Sequence, residues 1–297
     1  MLEGLLRRLI SVFRIRMAAI PLELPSGSTK NQVDDSIAFF SPLLVAVATN
    51  CTIGNDMAMT SHPTGNQRVS QPKISEKDKA LGRNYDRAAW FYEKSAKIYS
   101  TNQIRASKRY QLNHIEPGQS VLYLGAGAGE DAVMAARHGA RVTCIDISQG
   151  MLDQVQKKLD EDNLTAELIC VNAYDHDRTG HYDVVAANYF LNVFRRAEMA
   201  KMMQHTARFV REGGKYLIAD VATAQGNLLA KTFNVGYLKM AMGSFWLMGL
   251  VPWHENYDYP AFFADAGITH EHTEYFRFAK KGPILFQSIV ARALRLP

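Results

Sequence analysis

From residue 116 onward, short apolar runs alternate with longer amphipathic stretches. The apolar runs are typical of buried strands, and the longer stretches place apolar residues at i, i+3 and i+4, as helices do. Strands that alternate with helices predict parallel βαβ units with right-handed crossovers. The predicted fold class is therefore α/β, with a doubly wound, mostly parallel sheet of seven strands. The predicted strands are residues 121–124, 141–146, 166–171, 182–188, 216–221, 273–279 and 284–293, and the predicted helices are 130–138, 149–162 and 197–210.

The C-terminal third departs from this regular alternation. Gly213-Gly214 predicts a turn into the fifth strand, and Gly282-Pro283 predicts that the last two strands form an antiparallel hairpin. Residues 228–251 are apolar and rich in Met and Gly. A transmembrane helix needs about 20 apolar residues, and the nearly uncharged part of this segment is shorter. We therefore expect a cap helix or an interfacial helix there.

The chain before residue 116 has another character. Residues 1–75 are predicted to be a poorly ordered extension, and residues 76–115 a helical cap before the α/β domain of residues 116–297. The first 20 residues are rich in Leu and Arg, which fits either a mitochondrial presequence or a segment upstream of a later start at Met57 or Met59. In the cap, Tyr85, Tyr92 and Tyr99 share sevenfold spacing, which indicates a core stripe or a surface that stacks on an aromatic ligand.

Composition narrows the class of protein. With 297 residues, 47% of them hydrophobic and 21% charged, the chain is neither disordered, nor collagen-like, nor a disulfide scaffold. Its three cysteines show no C-x-x-C spacing, which fits a reducing compartment and argues against a cysteine-rich metal site. His270 and His272 are two apart on a predicted strand and would share a face, but no acid or cysteine cluster accompanies them, so no metal is expected.

The net charge of +5 is concentrated in one segment. Residues 59–115 hold eleven basic and four acidic side chains, whereas the rest of the chain is close to neutral. One interpretation is an ordinary solvated helix face, and the other is peripheral contact with an anionic membrane surface. No nucleic-acid-binding motif accompanies the charge, so nucleic acid is not an expected partner.

The strongest chemical signal is a glycine loop after the first predicted strand. The loop contains Gly125, Ala126, Gly127 and Gly129, and a predicted helix follows it. Glycines allow positive φ and a close approach of the backbone to a ligand, and the helix start offers free N–H groups. The dinucleotide fingerprint G-x-G-x-x-G requires glycine at the sixth position, where this chain has Glu130. The spacing therefore disfavours a pyrophosphate ligand.

The G-x-G-x-G loop and four later motifs together resemble class I S-adenosylmethionine-dependent methyltransferases, and within them the ubiquinone/menaquinone C-methyltransferase-like branch. The later motifs are an acidic strand end, an Asn-Ala pair, an Asn after the fourth strand and the Gly213-Gly214 pair. The resemblance implies a Rossmann-like methyltransferase fold and S-adenosyl-L-methionine as the cofactor. Besides the loop, it implies that the following residues bind the cofactor: Asp146 at the ribose, with Ile147 and Met151 beside it, Asn172 and Ala173 at the adenine, and Asn188 at the methionine side.

One position departs from the family pattern. Tyr123 stands where the family usually has an acid that helps to hold the cofactor's amino group. Glu130 or Asp131, next to the loop, is a candidate substitute for it.

Candidate catalytic groups lie late in the chain. His254 would act as a general base and Asp258 would orient it, or the segment is simply a polar turn. The Met-, Trp- and Phe-rich residues 233–253 and the family branch favour a small, apolar or lipid-like methyl acceptor. The expected location is the cytoplasm, either free or peripheral at a membrane surface. If residues 1–20 are a presequence, the expected location is instead the mitochondrial matrix. Two other functions remain open, a non-catalytic cofactor-binding assembly or regulatory protein and an NAD-type oxidoreductase.

Overall fold

The computed structural model describes residues 102–223, 256–278 and 282–294, together with Ser75, Thr232 and Gly236. Several predicted features lie outside the described residues. They are the extension before Ser75, the part of the predicted helical cap that contains Tyr85, Tyr92 and Tyr99, most of the apolar segment 228–251, and His254.

Seven strands form one sheet in the order β3-β2-β1-β4-β5-β7-β6. The first five pair in parallel, and β7 lies antiparallel between β5 and β6. This confirms the predicted doubly wound sheet with its C-terminal hairpin. The strands are β1 Ser120–Leu124, β2 Arg141–Asp146, β3 Glu167–Cys170, β4 Tyr182–Ala186, β5 Val210–Val221, β6 Ile268–Arg277 and β7 Ile284–Ala293.

Helices cover both faces of the sheet. They are α1 Gln103–Tyr110, α2 Glu130–Arg137, α3 Gln149–Glu161 and α4 Arg196–Ala207, and short 3₁₀ turns occupy Gln111–His114, Ala173–Asp175, Leu191–Val193 and Tyr259–Phe262. Alternate residues of β1 enter two different cores, as the period of a strand requires. Val121 and Tyr123 pack with α2 and α3, whereas Leu122 and Leu124 pack on the face that α4 covers. No helix in the described part of the chain is long and apolar enough to cross a membrane.

The Gly213-Gly214 pair does not end an element, contrary to the prediction. It lies inside β5, which runs unbroken from Val210 to Val221. The pairing with β4 shifts register there, because Tyr182 pairs with Val210 and Val184 with Lys215. Gly213 has φ +70°, and a Cβ on Gly214 would lie 2.7 Å from the carbonyl oxygen of Asp183. The two glycines therefore permit a bulge rather than a turn.

The two histidines of β6 do not share a face, which corrects a second prediction. The pairing register shifts between them, so that His270 pairs with Ala291 and His272 with the adjacent Val290. The His270 ring lies 6.5 Å from that of Phe263, whereas the His272 ring lies 6.1 Å from that of Tyr110 on the other side of the sheet. Across the described ranges, no group of three or more His, Cys, Asp or Glu side chains is placed to hold a metal ion.

Candidate cofactor site

The candidate site lies at the carboxyl ends of the parallel strands. The strand order reverses at β1, whose neighbours are β2 on one side and β4 on the other. In open α/β sheets, ligands bind in the crevice outside the strand ends at such a switch point. The glycine loop begins directly after β1 and therefore lies at this crevice.

The loop glycines all have positive φ, with values of 58°, 52° and 69° at Gly125, Gly127 and Gly129. A Cβ at Gly125 would lie 2.6 Å from the Phe190 ring, and one at Gly129 would lie 2.5 Å from a methyl group of Val155. Among the described residues, a Cβ at Gly127 would meet nothing closer than the Gly125 carbonyl oxygen at 4.0 Å. Two glycines thus allow close packing within the protein, and the described residues leave space beside the middle one, where a ligand can approach.

Asp146 connects the end of β2 to this loop. Its Oδ2 accepts a hydrogen bond from the backbone N–H of Gly127 at 3.0 Å, and its Oδ1 accepts one from the N–H of Ser148 at 2.9 Å. Ser148 then caps α3 by accepting from the N–H of Met151 at 3.0 Å. Asp146, Ile147 and Met151 are all half-buried, so the sequence-predicted group lies at the rim of the crevice.

The end of β3 lies next to Asp146, because the N–H of Val171 donates to the Asp146 carbonyl oxygen at 3.0 Å. Asn172 begins the 3₁₀ turn there, and its Oδ1 accepts from the N–H of Tyr174 at 3.0 Å. The carbonyl oxygen of Ala173 is in hydrogen-bond contact with His205 Nε2 at 3.1 Å. The predicted adenine residues are therefore held in place by their own turn and by α4.

Asn188, after β4, is buried in a hydrogen-bond network. Its side chain exchanges two bonds with the amide of Gln111, at 2.7 and 2.8 Å. Its Oδ1 also accepts from the N–H of Ala219 at 3.0 Å, and its Nδ2 also donates to Asp131 Oδ2 at 2.8 Å. Asn188 thus joins β5, α2 and the segment after α1, a role that the sequence did not predict. Its contact with the cofactor stays a prediction.

The position that departs from the family pattern is filled by a buried side chain. Tyr123 is 2% exposed, and burial and the nearby Asp131 carboxylate together raise its pKa well above its ordinary value. Tyr123 therefore stays neutral and supplies no anion. Of the two candidate substitute acids, Glu130 is only half-buried, whereas Asp131 is buried and bonds to Asn188 after β4.

A second buried acid, Asp220, lies near the end of β5 and was missed in the sequence. Its carboxylate accepts hydrogen bonds from Asn192 Nδ2 at 2.8 Å, from the N–H of Val221 at 2.7 Å and from the hydroxyl of Tyr259. Burial raises the pKa of Asp220 to about 6. An acid near the end of an otherwise apolar strand was the signal that could have revealed it.

The predicted catalytic pair is not brought together within the described residues. Asp258 is exposed, although its neighbours Tyr257 and Tyr259 are buried, and His254 lies outside the described residues. The roles of His254 and Asp258 therefore stay predictions.

The residues present fit a nucleoside ligand with a neutral or cationic tail. The described residues leave space beside Gly127 for the ligand, and the Asp146 carboxylate can accept ribose hydroxyls. Glu130 and Asp131 adjoin the loop and pair with Arg105 and Lys108 of α1. These four side chains balance in charge and give a phosphate no net attraction, which suits a ligand without phosphates.

Parts of this chain resemble known proteins. Residues 121–214 match the family model described as "Methyltransferase domain". Carboxy-S-adenosyl-L-methionine synthase of Helicobacter hepaticus is 28% identical over 95 residues, which cover 32% of this chain and 39% of the relative. Demethylmenaquinone methyltransferase of Clavibacter sepedonicus is 24% identical over 173 residues, 56% of this chain and 67% of the relative.

Solved structures share the fold. Magnesium protoporphyrin IX methyltransferase of Synechocystis PCC 6803, with bound SAH, has a TM-score of 0.53 and 18% identity, and the match covers 72% of this chain and 95% of that one. The family match covers the glycine loop and Asp146. Residues 121–214 therefore match a methyltransferase domain, and the chain shares the fold of a solved methyltransferase.

Proposed function

We propose that this protein binds S-adenosylmethionine at the glycine loop and transfers its methyl group to a small acceptor. The observation that carries the proposal is the loop itself, open at Gly127 and held to β2 by Asp146 at the switch point of the sheet. The match to the methyltransferase model over residues 121–214 supports it, as does the bound SAH of the Synechocystis enzyme.

In this proposal the cofactor lies across the ends of β1, β2 and β3. The loop residues Gly125, Ala126, Gly127 and Gly129 border the cofactor, and Asp146 accepts the ribose hydroxyls. The adenine lies near the end of β3, among Ile147, Met151, Asn172 and Ala173. Asn188 lies toward the methionine end.

For methyl transfer, the main task of the protein is to position the two reactants. The bound cofactor supplies an activated methyl group on a sulfonium. The protein aligns the acceptor in line with that methyl group and excludes water. A general base is needed only if the acceptor loses a proton, and His254 with Asp258 stays our candidate for that step.

We further propose that the acceptor is apolar or lipid-like, as in the quinone C-methyltransferase branch. The Clavibacter relative supports this, since its name gives demethylmenaquinone as its substrate. The apolar residues 233–253 suit such an acceptor. Contact with an anionic membrane would bring the protein to a lipid-soluble acceptor, and the basic residues 59–115 suit it.

Two measurements test the cofactor and the reaction separately. Isothermal titration should give saturable binding of S-adenosylmethionine and none of NADH, and NADH binding alone would contradict the proposal. Radiolabelled methyl groups should then enter the lipid fraction of a cell extract. Binding without incorporation into lipid or small-molecule pools would favour a non-catalytic protein.

Membrane contact has its own test. The full chain should co-sediment with vesicles that contain phosphatidylglycerol, and binding should weaken as salt is raised. Sedimentation that depends on neither anionic lipid nor salt would contradict membrane contact and leave the methyltransferase proposal standing.

A further inference from the structure

Two ion pairs connect α1 to the first turn of α2, and they differ sharply in burial. Arg105 Nε lies 2.8 Å from Glu130 Oε1, with side chains 58% and 41% exposed. Lys108 Nζ lies 3.4 Å from Asp131 Oδ1, with side chains only 20% and 5% exposed. The exposed pair is an ordinary surface contact of small energetic value. The buried pair places two opposite charges next to the glycine loop.

The buried pair lies on the β4 side of the loop. Asp131 follows Gly129 by two residues, and its second oxygen accepts from Asn188 at the end of β4. Asp146 holds the loop from the opposite side, where β2 lies. A ligand whose ribose lies at Asp146 and whose tail crosses the loop would therefore bring its far end to Lys108 and Asp131.

The contact between the two charges is loose. Charge-assisted N–H···O bonds are usually about 2.7–2.9 Å long, whereas Lys108 and Asp131 are 3.4 Å apart. Lys108 also lies 5.8 Å from the centroid of the Tyr189 ring. Buried ion pairs contribute little net stability, because desolvation offsets their attraction. Stability therefore does not explain why these two charges are buried here.

We propose that Lys108 and Asp131 bind the amino-acid end of S-adenosylmethionine. The Lys108 ammonium binds the α-carboxylate of the ligand, and the Asp131 carboxylate binds the α-ammonium. One internal pair is thus exchanged for two pairs with the ligand, and no buried charge is left alone. This inference rests on the proposed function and deepens it. It assigns to Asp131 the anionic role that the neutral Tyr123 cannot fill, and it makes α1 part of the site.

The test compares two ligands that differ only in the amino-acid end. S-Adenosylhomocysteine carries that end, and 5′-methylthioadenosine lacks it. Binding of both is measured by isothermal titration to wild type, Lys108→Met, Asp131→Asn and the control Arg105→Met. We expect the first two substitutions each to weaken S-adenosylhomocysteine about tenfold, the usual loss for one bond to a charged group. Binding of 5′-methylthioadenosine should stay within about twofold, and Arg105→Met should change neither affinity.

A third ligand separates the two roles. Decarboxylated S-adenosylhomocysteine keeps the amine and lacks the carboxylate. Lys108→Met should leave its binding unchanged, whereas Asp131→Asn should weaken it. If Asp131→Asn fails to fold, Lys108→Met still decides the question, because it replaces a partly exposed side chain with one of similar length.

Several results would overturn the inference. Equal weakening of S-adenosylhomocysteine and 5′-methylthioadenosine would give the pair a purely structural role. Unchanged binding of S-adenosylhomocysteine to both variants would remove the pair from the site. Wild type that binds both ligands equally would refute the inference but keep the proposed function. Wild type that binds neither would refute the proposed function itself.

Discussion

Two physical reasons explain why the loop has glycine at positions 125, 127 and 129. Gly125 and Gly129 lie against Phe190 and Val155, so a Cβ would collide with a side chain inside the protein. Gly127 has no such neighbour in the part of the chain that the structure describes, and there its Cβ would project into open space. The packing of the loop and its access to a ligand are therefore separable by substitution.

We expect Gly125→Ala to destabilise the protein more than Gly127→Ala. Both substitutions place alanine at positive φ, which costs about 1–2 kcal/mol, and Gly125→Ala adds an overlap with Phe190 of about 1–3 kcal/mol. Gly127→Ala should instead reduce S-adenosylhomocysteine binding. Urea denaturation and titration check the two effects. Equal destabilisation with equal affinity would show that Gly127 does not face the ligand.

The buried Asp220 carboxyl gives stability a pH dependence. Its folded-state pKa of about 6 lies above its ordinary value of 3.8, so folding favours the protonated form. Its contribution to stability is therefore complete below pH 3.8 and is lost as pH rises through about 6. The change is on the order of 3 kcal/mol, since one pKa unit corresponds to about 1.4 kcal/mol.

Asp220→Asn should remove this dependence. The free energy of unfolding of wild type minus that of the variant should fall between about pH 4 and pH 6 and then level off. Urea denaturation across this range measures it. The trend should persist at high salt, because the group is buried and poorly screened. A difference that rises with pH would contradict the raised pKa.

At the scale of elements, regular strands and helices were predictable and irregular ones were not. The predicted strand 141–146 and the last strand coincide with β2 and β7, because their apolar runs are bounded by turn residues. The bulges at Gly213-Gly214 and after His270 were missed, since a bulge depends on pairing with a distant strand. Residues two apart on a regular strand share a face, so the sequence predicted that His270 and His272 would do so. The prediction was wrong because the register shifts between them.

The candidate site divides in the same way. The glycine loop, Asp146 and Asn172 lie at or just after the ends of β1, β2 and β3. Their positions could therefore be predicted from the local sequence pattern. The network of Gln111, Asp131 and Asn188 joins residues up to 77 positions apart, and Asp220 meets Tyr259 across 39 positions. Such contacts arise from tertiary packing, which no local pattern encodes.

The bulge in β5 supplies a matched pair of substitutions. Gly214→Ala would place a Cβ 2.7 Å from a backbone oxygen and from Val210, so the strand must shift, at a cost of roughly 3 kcal/mol. The Cβ of Gly213→Ala meets none of the described residues within 4 Å, so the variant bears the positive-φ strain, about 1 kcal/mol. Urea denaturation of both variants should rank them in this order. The reverse order would mean that the backbone relaxes freely at Gly214.

For the whole molecule, the structure explains part of the positive charge before residue 116. Of the eleven basic residues in segment 59–115, three lie in α1. Arg105 and Lys108 pair with the acids that open α2, while Arg109 is exposed. Part of the positive excess therefore joins α1 to α2, the helix that follows the glycine loop.

Ligand binding should stabilise the domain as a unit, because the site that we propose draws on β1, β2, β3 and α1. A ligand that binds only the folded state at 100 times its dissociation constant adds about 2.7 kcal/mol. We therefore expect S-adenosylhomocysteine to raise the Tm of wild type by several degrees, as differential scanning fluorimetry would measure. Asp146→Ala should abolish this shift, since it removes the bonds to Gly127 and Ser148. Asp153→Ala, an exposed acid on α3, is the control that should retain it. An equal shift with NADH, or a shift that survives Asp146→Ala, would mean that the ligand binds elsewhere than at the glycine loop.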